Sequence, residues 1–166
     1  IRARKKQRSN IKALSKAGIP SIKEPHGLIR SDGKRPDGLT LLPWRDGRCA
    51  TWDVTVTDTV AASYVGISSS CAASAAAKRK EEKYVEICRT HHFFPIAFET
   101  FGPINQVGSE FISALGQRFT RITDDPRETS FLFQRLSVAV QRFNGVCFTN
   151  SFGNMHDQFF DHPRHT

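Results

Sequence analysis

The chain has 166 residues, 39% of them hydrophobic and thirteen of them Phe, with a formal net charge of +8. That length supports one domain with a packed core, and the absence of any apolar run near ~18 residues excludes a transmembrane helix. The charge is uneven: residues 1–35 carry 11 Lys/Arg against Glu24 and Asp32, whereas the remainder carries 13 Lys/Arg against 14 acids. A basic arm containing Arg2, Arg4, Lys5, Lys6 and Arg8, ahead of a near-neutral domain, suits a polyanion such as nucleic acid. The plainer reading of that arm is a solubilising tail.

No signal-peptide pattern opens the sequence. The first residue is Ile1, which reads as a piece of a longer open reading frame or a processed product. Cys49, Cys71, Cys88 and Cys147 lie far apart with no CxxC, so a structural zinc module is not expected. They read as free thiols in a reducing compartment, which sets an intracellular expectation with the nucleus as its finer form. His162 and His165 have no partner pair and read as part of a frayed end.

In chain order, residues 1–18 form the basic arm, with a short helix over 8–17 that Gly18 and Pro20 break. Residues 19–29 hold a strand interrupted by Pro25 and Gly27. A hairpin follows at 38–57 around the Asp46-Gly47 turn, a strong local signal. In its second strand Ala50, Trp52, Val54 and Val56 face one way, and Thr51, Asp53, Thr55 and Thr57 the other. Residues 58–71 are small and hydroxyl-rich and read as a loop or short helix.

An Ala-rich helix is predicted over 72–88, with Ala73, Ala76, Ala77, Tyr84, Ile87 and Cys88 on one stripe. Lys80 falls in the middle of that stripe and Lys83 at its edge. A lysine at the centre of a packing face needs a partner or a route to water. It either snorkels past the alanines or points at the carboxylates of the hairpin. Residues 93–102 read as a central strand. Helices follow at 108–122, with Phe111, Ile112, Leu115, Phe119 and Ile122 on one face, and at 127–146, with Leu132, Leu136, Ala139, Phe143 and Val146 aligned. Thr123-Asp124-Asp125-Pro126 separates them as a stop and cap. Residues 150–166 read as a loose C-terminal tail, leaving 19–149 as the single domain.

Asp37 and Asp53 have fifteen residues between them across the hairpin. Two carboxylates brought together offer hard oxygens to a divalent metal. A simple two-residue loop would leave Asp37 about three residues beyond the position facing Asp53, so a bulge or bend at Pro43 is required. The plainer reading of Asp37 is that it merely caps a turn.

The order of elements, together with Pro36-Asp37 and Asp53, resembles the PD-(D/E)XK nucleases, whose α/β core follows an αβββαβ path through a mixed sheet. The lysine usual two residues after the second acid is absent, since Thr55 stands there. Some branches carry that lysine on the following helix. Pro36-Asp37, Asp53-Val54-Thr55 and Lys80-Glu81-Glu82-Lys83-Tyr84 are most similar to the restriction-like endonuclease domain of site-specific non-LTR retrotransposons. The resemblance spans about residues 24–102. It implies a Mg²⁺- or Mn²⁺-dependent endonuclease acting on DNA and derived from a mobile element. Asp37 and Asp53 would hold the metal, with the Val54 carbonyl and Glu24 as further ligands. Lys80, or Lys83 as second choice, would stabilise charge on the phosphate. Lys34 and Arg35 beside the first acid join the basic arm as nucleic-acid contacts. Glu99 is a weaker site candidate, its plainer reading an exposed strand-end acid. The alternative function is a catalytically degenerate nucleic-acid-binding or protein-interaction module of the same fold.

Overall fold

The computed structural model describes residues 18–29, 33–57, 71–100 and 102–159. The predicted helix at 8–17, the arginines and lysines of the arm, and all of the predicted loop at 58–71 except the helical Cys71 lie outside them. The elements are β1 (Ser21–Lys23), β2 (Gly38–Arg45), β3 (Arg48–Thr57), α1 (Cys71–Lys83), α2 (Val85–Thr90), β4 (His92–Glu99), α3 (Gln106–Thr123) and α4 (Glu128–Phe159). The four strands form one mixed sheet in the order β1-β2-β3-β4. The first two pairings are antiparallel, and β3 pairs with β4 in parallel. A parallel pair needs a long crossover, and here that crossover contains α1 and α2.

The hairpin turns on Asp46 and Gly47, both at positive φ (50° and 70°), as a two-residue type I′ loop requires. From the Arg45–Arg48 pair, a regular ladder would set Gly38 opposite Thr55. Gly38 instead faces Trp52, because the register shifts on both sides of Pro43. Proline brings no N–H to the ladder, which makes it a natural seat for an irregularity. The Thr40 hydroxyl mends the gap: it accepts from Ala50 N–H at 2.9 Å and donates to Leu42 O at 2.8 Å. The bulge therefore takes up the three residues that separate the two aspartates in register.

The alternation of β3 sorts the two faces of the sheet. On one face Ala50, Trp52, Ile96 and Phe98 pack with Phe111, Ile112, Leu115 and Phe119 of α3 and Leu132 and Val140 of α4. Trp52 is fully buried, with its ring stacked 6.0 Å from that of Phe111. It lies so close over Gly38 that a Cβ there would come within 2.8 Å of Trp52 Cη2 and overlap two nearer ring atoms. Only glycine fits at that point. On the opposite face α1 rests on the sheet through Ala73, Ala77 and Ala97, with Ala76 beside them.

The strand over 93–102, expected in the centre, stands at the end of the sheet. Pro95 is more easily accommodated there. The open edge of β4 is sealed by the segment before α3. Asn105 Oδ1 accepts from Ala97 N–H and its Nδ2 donates to Pro95 O, both at 2.8 Å, while Glu99 N–H donates to Pro103 O at 3.1 Å. From Pro95 to Glu99 the edge is thereby closed to pairing with another strand.

Three helical expectations change. The helix predicted over 72–88 divides at Tyr84 (φ −110°, ψ 22°), and Cys88 is exposed. Tyr84 is anchored elsewhere, its ring 4.7 Å from that of Phe93 and its hydroxyl donating to Arg35 O at 3.2 Å. Ile122 and Val146 are exposed rather than packed, because α3 and α4 reach past the core at those points. The last helix does not end near 146. Residues 150–159 continue α4 to Phe159, since no proline interrupts them and a single Gly153 costs a helix only about 1 kcal/mol. The stop between α3 and α4 lies where expected, with Asp124 in the left-handed region as the C-cap of α3 and its N–H on Thr120 O.

Candidate functional site

Asp53 and Lys80 meet on the alanine face of the sheet, and the segment that carries Asp37 enters beside them. Asp37 precedes β2 and, through the bulge, adjoins the level of Asp53. It is nearly buried, and its Oδ2 accepts from Val54 N–H at 2.8 Å. Asp53 lies in the middle of β3, on the face that α1 covers. Lys80, two turns into α1 beyond Ala73, places Nζ 2.6 Å from Asp53 Oδ2, with side-chain exposures of 19% and 14% for the pair. Small alanines bring the helix axis close to the sheet, so a long lysine stem has to run across the face to reach the strand.

Lys83 is exposed at the end of α1, and the bond to Asp53 belongs to Lys80. Tyr84 follows in the same motif. Its hydroxyl fixes Arg35 O, and Pro36 beside it is fully buried. The strand-entry segment that carries Asp37 is therefore clamped from the helix side. Lys34 is exposed and Arg35 half-buried, both adjoining this segment.

Glu24 comes near by its backbone rather than its carboxylate. It takes positive φ (46°) after β1, its N–H donates to Asp37 O at 3.1 Å, and its carboxylate pairs with Lys23 at 3.5 Å. Val54 likewise meets Asp37 through its amide, which donates to Asp37 Oδ2. Among the described residues no group of three or more His, Cys, Asp or Glu is placed to hold a metal ion. The donor chemistry on offer is two carboxylates. That is a set Mg²⁺ accepts, because it binds through one or two carboxylates and keeps several waters.

Glu99 departs from the exposed strand-end acid. It is 2% exposed, and its Oε1 accepts from Ala73 N–H in the first turn of α1 at 3.1 Å. The sequence marked Glu99 only as a weaker candidate, because the helix turn it meets lies 26 residues earlier in the chain. Cysteine chemistry finds no support at Cys88. Loss of water to the neighbouring atoms, with the negative charge of Glu81 adding to it, pushes that thiol's pKa up, away from the reactive thiolate.

Among the described residues no helix is long and apolar enough to cross a membrane. No protein-family model matches the chain, and no curated protein matches it.

Proposed function

We propose that the chain is a metal-dependent endonuclease domain of the PD-(D/E)XK type, cutting DNA phosphodiester bonds at Asp37, Asp53 and Lys80. The observation that carries this reading is the 2.6 Å contact between Lys80 Nζ and Asp53 Oδ2. It joins a lysine on the crossover helix to the middle acid of the hairpin, with Asp37 tied to the next residue, Val54. The described order of three strands, a crossover through α1 and α2, and then β4 supports this reading, since the fold follows βββαβ after its first helix.

Asp37 and Asp53 are the residues that would hold Mg²⁺ or Mn²⁺. Bound there, the ion supplies Lewis-acid chemistry, lowering the pKa of a bound water and offsetting phosphate charge. The chain's own groups do the rest. The Val54 amide orients the Asp37 carboxylate. Tyr84 holds the strand entry in place. Lys80 brings a positive charge to where the phosphate gains negative charge. Lys34, Arg35 and the basic arm supply sequence-independent contacts to the DNA backbone. A supercoiled plasmid assay with Mg²⁺ or Mn²⁺, beside the same assay in EDTA, tests the proposal. Nicking that persists in EDTA removes it.

Lys80 also competes with the metal. A cation 2.6 Å from Asp53 must yield or share that carboxylate when a metal binds. Lys80→Met should therefore raise Mn²⁺ affinity by about three- to tenfold in calorimetric titration, a gain of up to about 1.4 kcal/mol, while cleavage falls. Unchanged affinity together with unchanged cleavage would place Lys80 outside the metal site.

The second reading, a degenerate binding module, is favoured by two observations. Thr55 occupies the usual lysine position, and the surviving lysine already neutralises Asp53. A protein that binds DNA but shows no Mn²⁺ binding dependent on Asp37 and Asp53 would be that module.

A further inference from the structure

We infer that Glu99 is a positioning residue: it sets the register of α1 on the sheet and thereby places Lys80 against Asp53. The contact between α1 and the sheet is made of alanines, namely Ala73, Ala77 and Ala97 with Ala76 beside them. Such a surface allows close approach but has no large side chains to lock into grooves, so sliding along the helix axis meets little steric resistance. Within the helix itself a set of polar ties fixes its position, and just past its end the Tyr84 ring packs on Phe93. At its start the buried Glu99 carboxylate accepts from Ala73 N–H. Seven residues on, Lys80 reaches Asp53. At its end Tyr84 donates to Arg35 O.

The geometry of Glu99 suits a strut. It lies on the same sheet face as Asp53, with Thr57 opposite Glu99 and Pro95 opposite Asp53 in the parallel register. Its backbone is pinned by the Pro103 carbonyl, so the carboxylate is presented from a rigid strand end. A carboxylate beside the first turn of a helix meets unpaired N–H groups and the positive end of the helix dipole. A one-residue slip of α1 would break this tie and carry Lys80 about 1.5 Å along the axis and about 100° around it, away from Asp53. The link to catalysis rests on the nuclease reading above; the placement of Lys80 does not.

Nuclear magnetic resonance of the Lys80 ammonium group, on metal-free full-length protein, tests this directly. A hydrogen-bonded, half-buried lysine gives an ¹⁵N–¹H signal that exposed lysines lose to exchange, and the signal is assigned by its loss in Lys80→Met. Glu99→Gln, which keeps an acceptor oxygen, should retain it. Glu99→Ala should lose it or reduce it at least fivefold in folded protein. A Glu99→Ala protein that is folded and keeps the signal unshifted overturns the proposal. Should Glu99→Ala not fold, Lys80→Met supplies the converse readout. Loosening one tie should lower the exchange protection of the Ala73 amide by about tenfold, and unchanged protection would overturn the proposal. Because neither arm uses cleavage, failure here is distinguishable from failure of the nuclease reading.

Discussion

Asp53→Asn should leave the protein folded and bound to DNA while its Mg²⁺-dependent cleavage falls by about a hundred- to a thousandfold or more. Asparagine keeps the size of the side chain and an oxygen for Lys80 to donate to, so the α1–sheet contact survives. What it removes is the negative charge that a divalent ion needs from one of only two carboxylates. The Asn substitution isolates this better than Asp53→Ala. Alanine would leave the half-buried Lys80 ammonium without its partner and add an instability of about 1–3 kcal/mol. DNA affinity should change less than about twofold, because phosphate contacts by basic residues position the duplex independently of the metal. Parallel nicking and equilibrium-binding assays decide the matter. Cleavage undiminished in the Asn variant refutes the mechanism, and affinity lost along with cleavage would mean that Asp53 shapes the DNA-binding surface instead.

The largest effect on the fold is expected at a residue with no side chain. Gly38→Val should be unfolded at room temperature, a loss of more than about 4 kcal/mol. Its Cβ would enter the space of the Trp52 indole. The ring cannot yield, since it is fully buried and held on its other side by Phe111. Trp52→Ala by itself should cost about 3–5 kcal/mol through the cavity it leaves. The two losses should not add. Gly38→Ala combined with Trp52→Leu should recover part of the stability, since the smaller residue vacates the space that the new methyl needs. Urea unfolding followed by circular dichroism measures all of these variants. A native midpoint for Gly38→Val would show that the hairpin can separate at this point without cost.

Much of this arrangement was legible in the chain, and the reasons differ residue by residue. The polar face of β3 followed from strict alternation, and Lys80 followed from the helical period, because both depend only on local geometry. The need for an irregularity near Pro43 was also local: loop length and strand length disagreed by three residues. The device that mends it was hidden, because a threonine hydroxyl replacing a ladder bond has no sequence signature. Glu99 escaped for a related reason. A carboxylate that caps a helix from a distant strand is invisible until the strand and helix are packed together. The position of β4 at the end of the sheet escaped too. Its apolar run signals burial on both faces, and burial by helices and by Asn105 on its flank looks the same in sequence as burial between strands. The division at Tyr84 went unseen because the anchors of its ring and hydroxyl, Phe93 and Arg35, lie in other segments.

The two faces of the sheet are unequal in adhesion. Aromatic and aliphatic side chains bind α3 and α4 to one face, whereas alanines and a few polar bonds hold α1 to the other. Hydrophobic attachment scales with apolar area removed from water, so the α1 layer is the weaker seam. On warming or in mild denaturant it should part first, as a sub-global opening that leaves the aromatic half intact. Lys80 leaves with it. The working limit of the site is then set by the detachment of one helix, below the temperature at which the molecule as a whole melts.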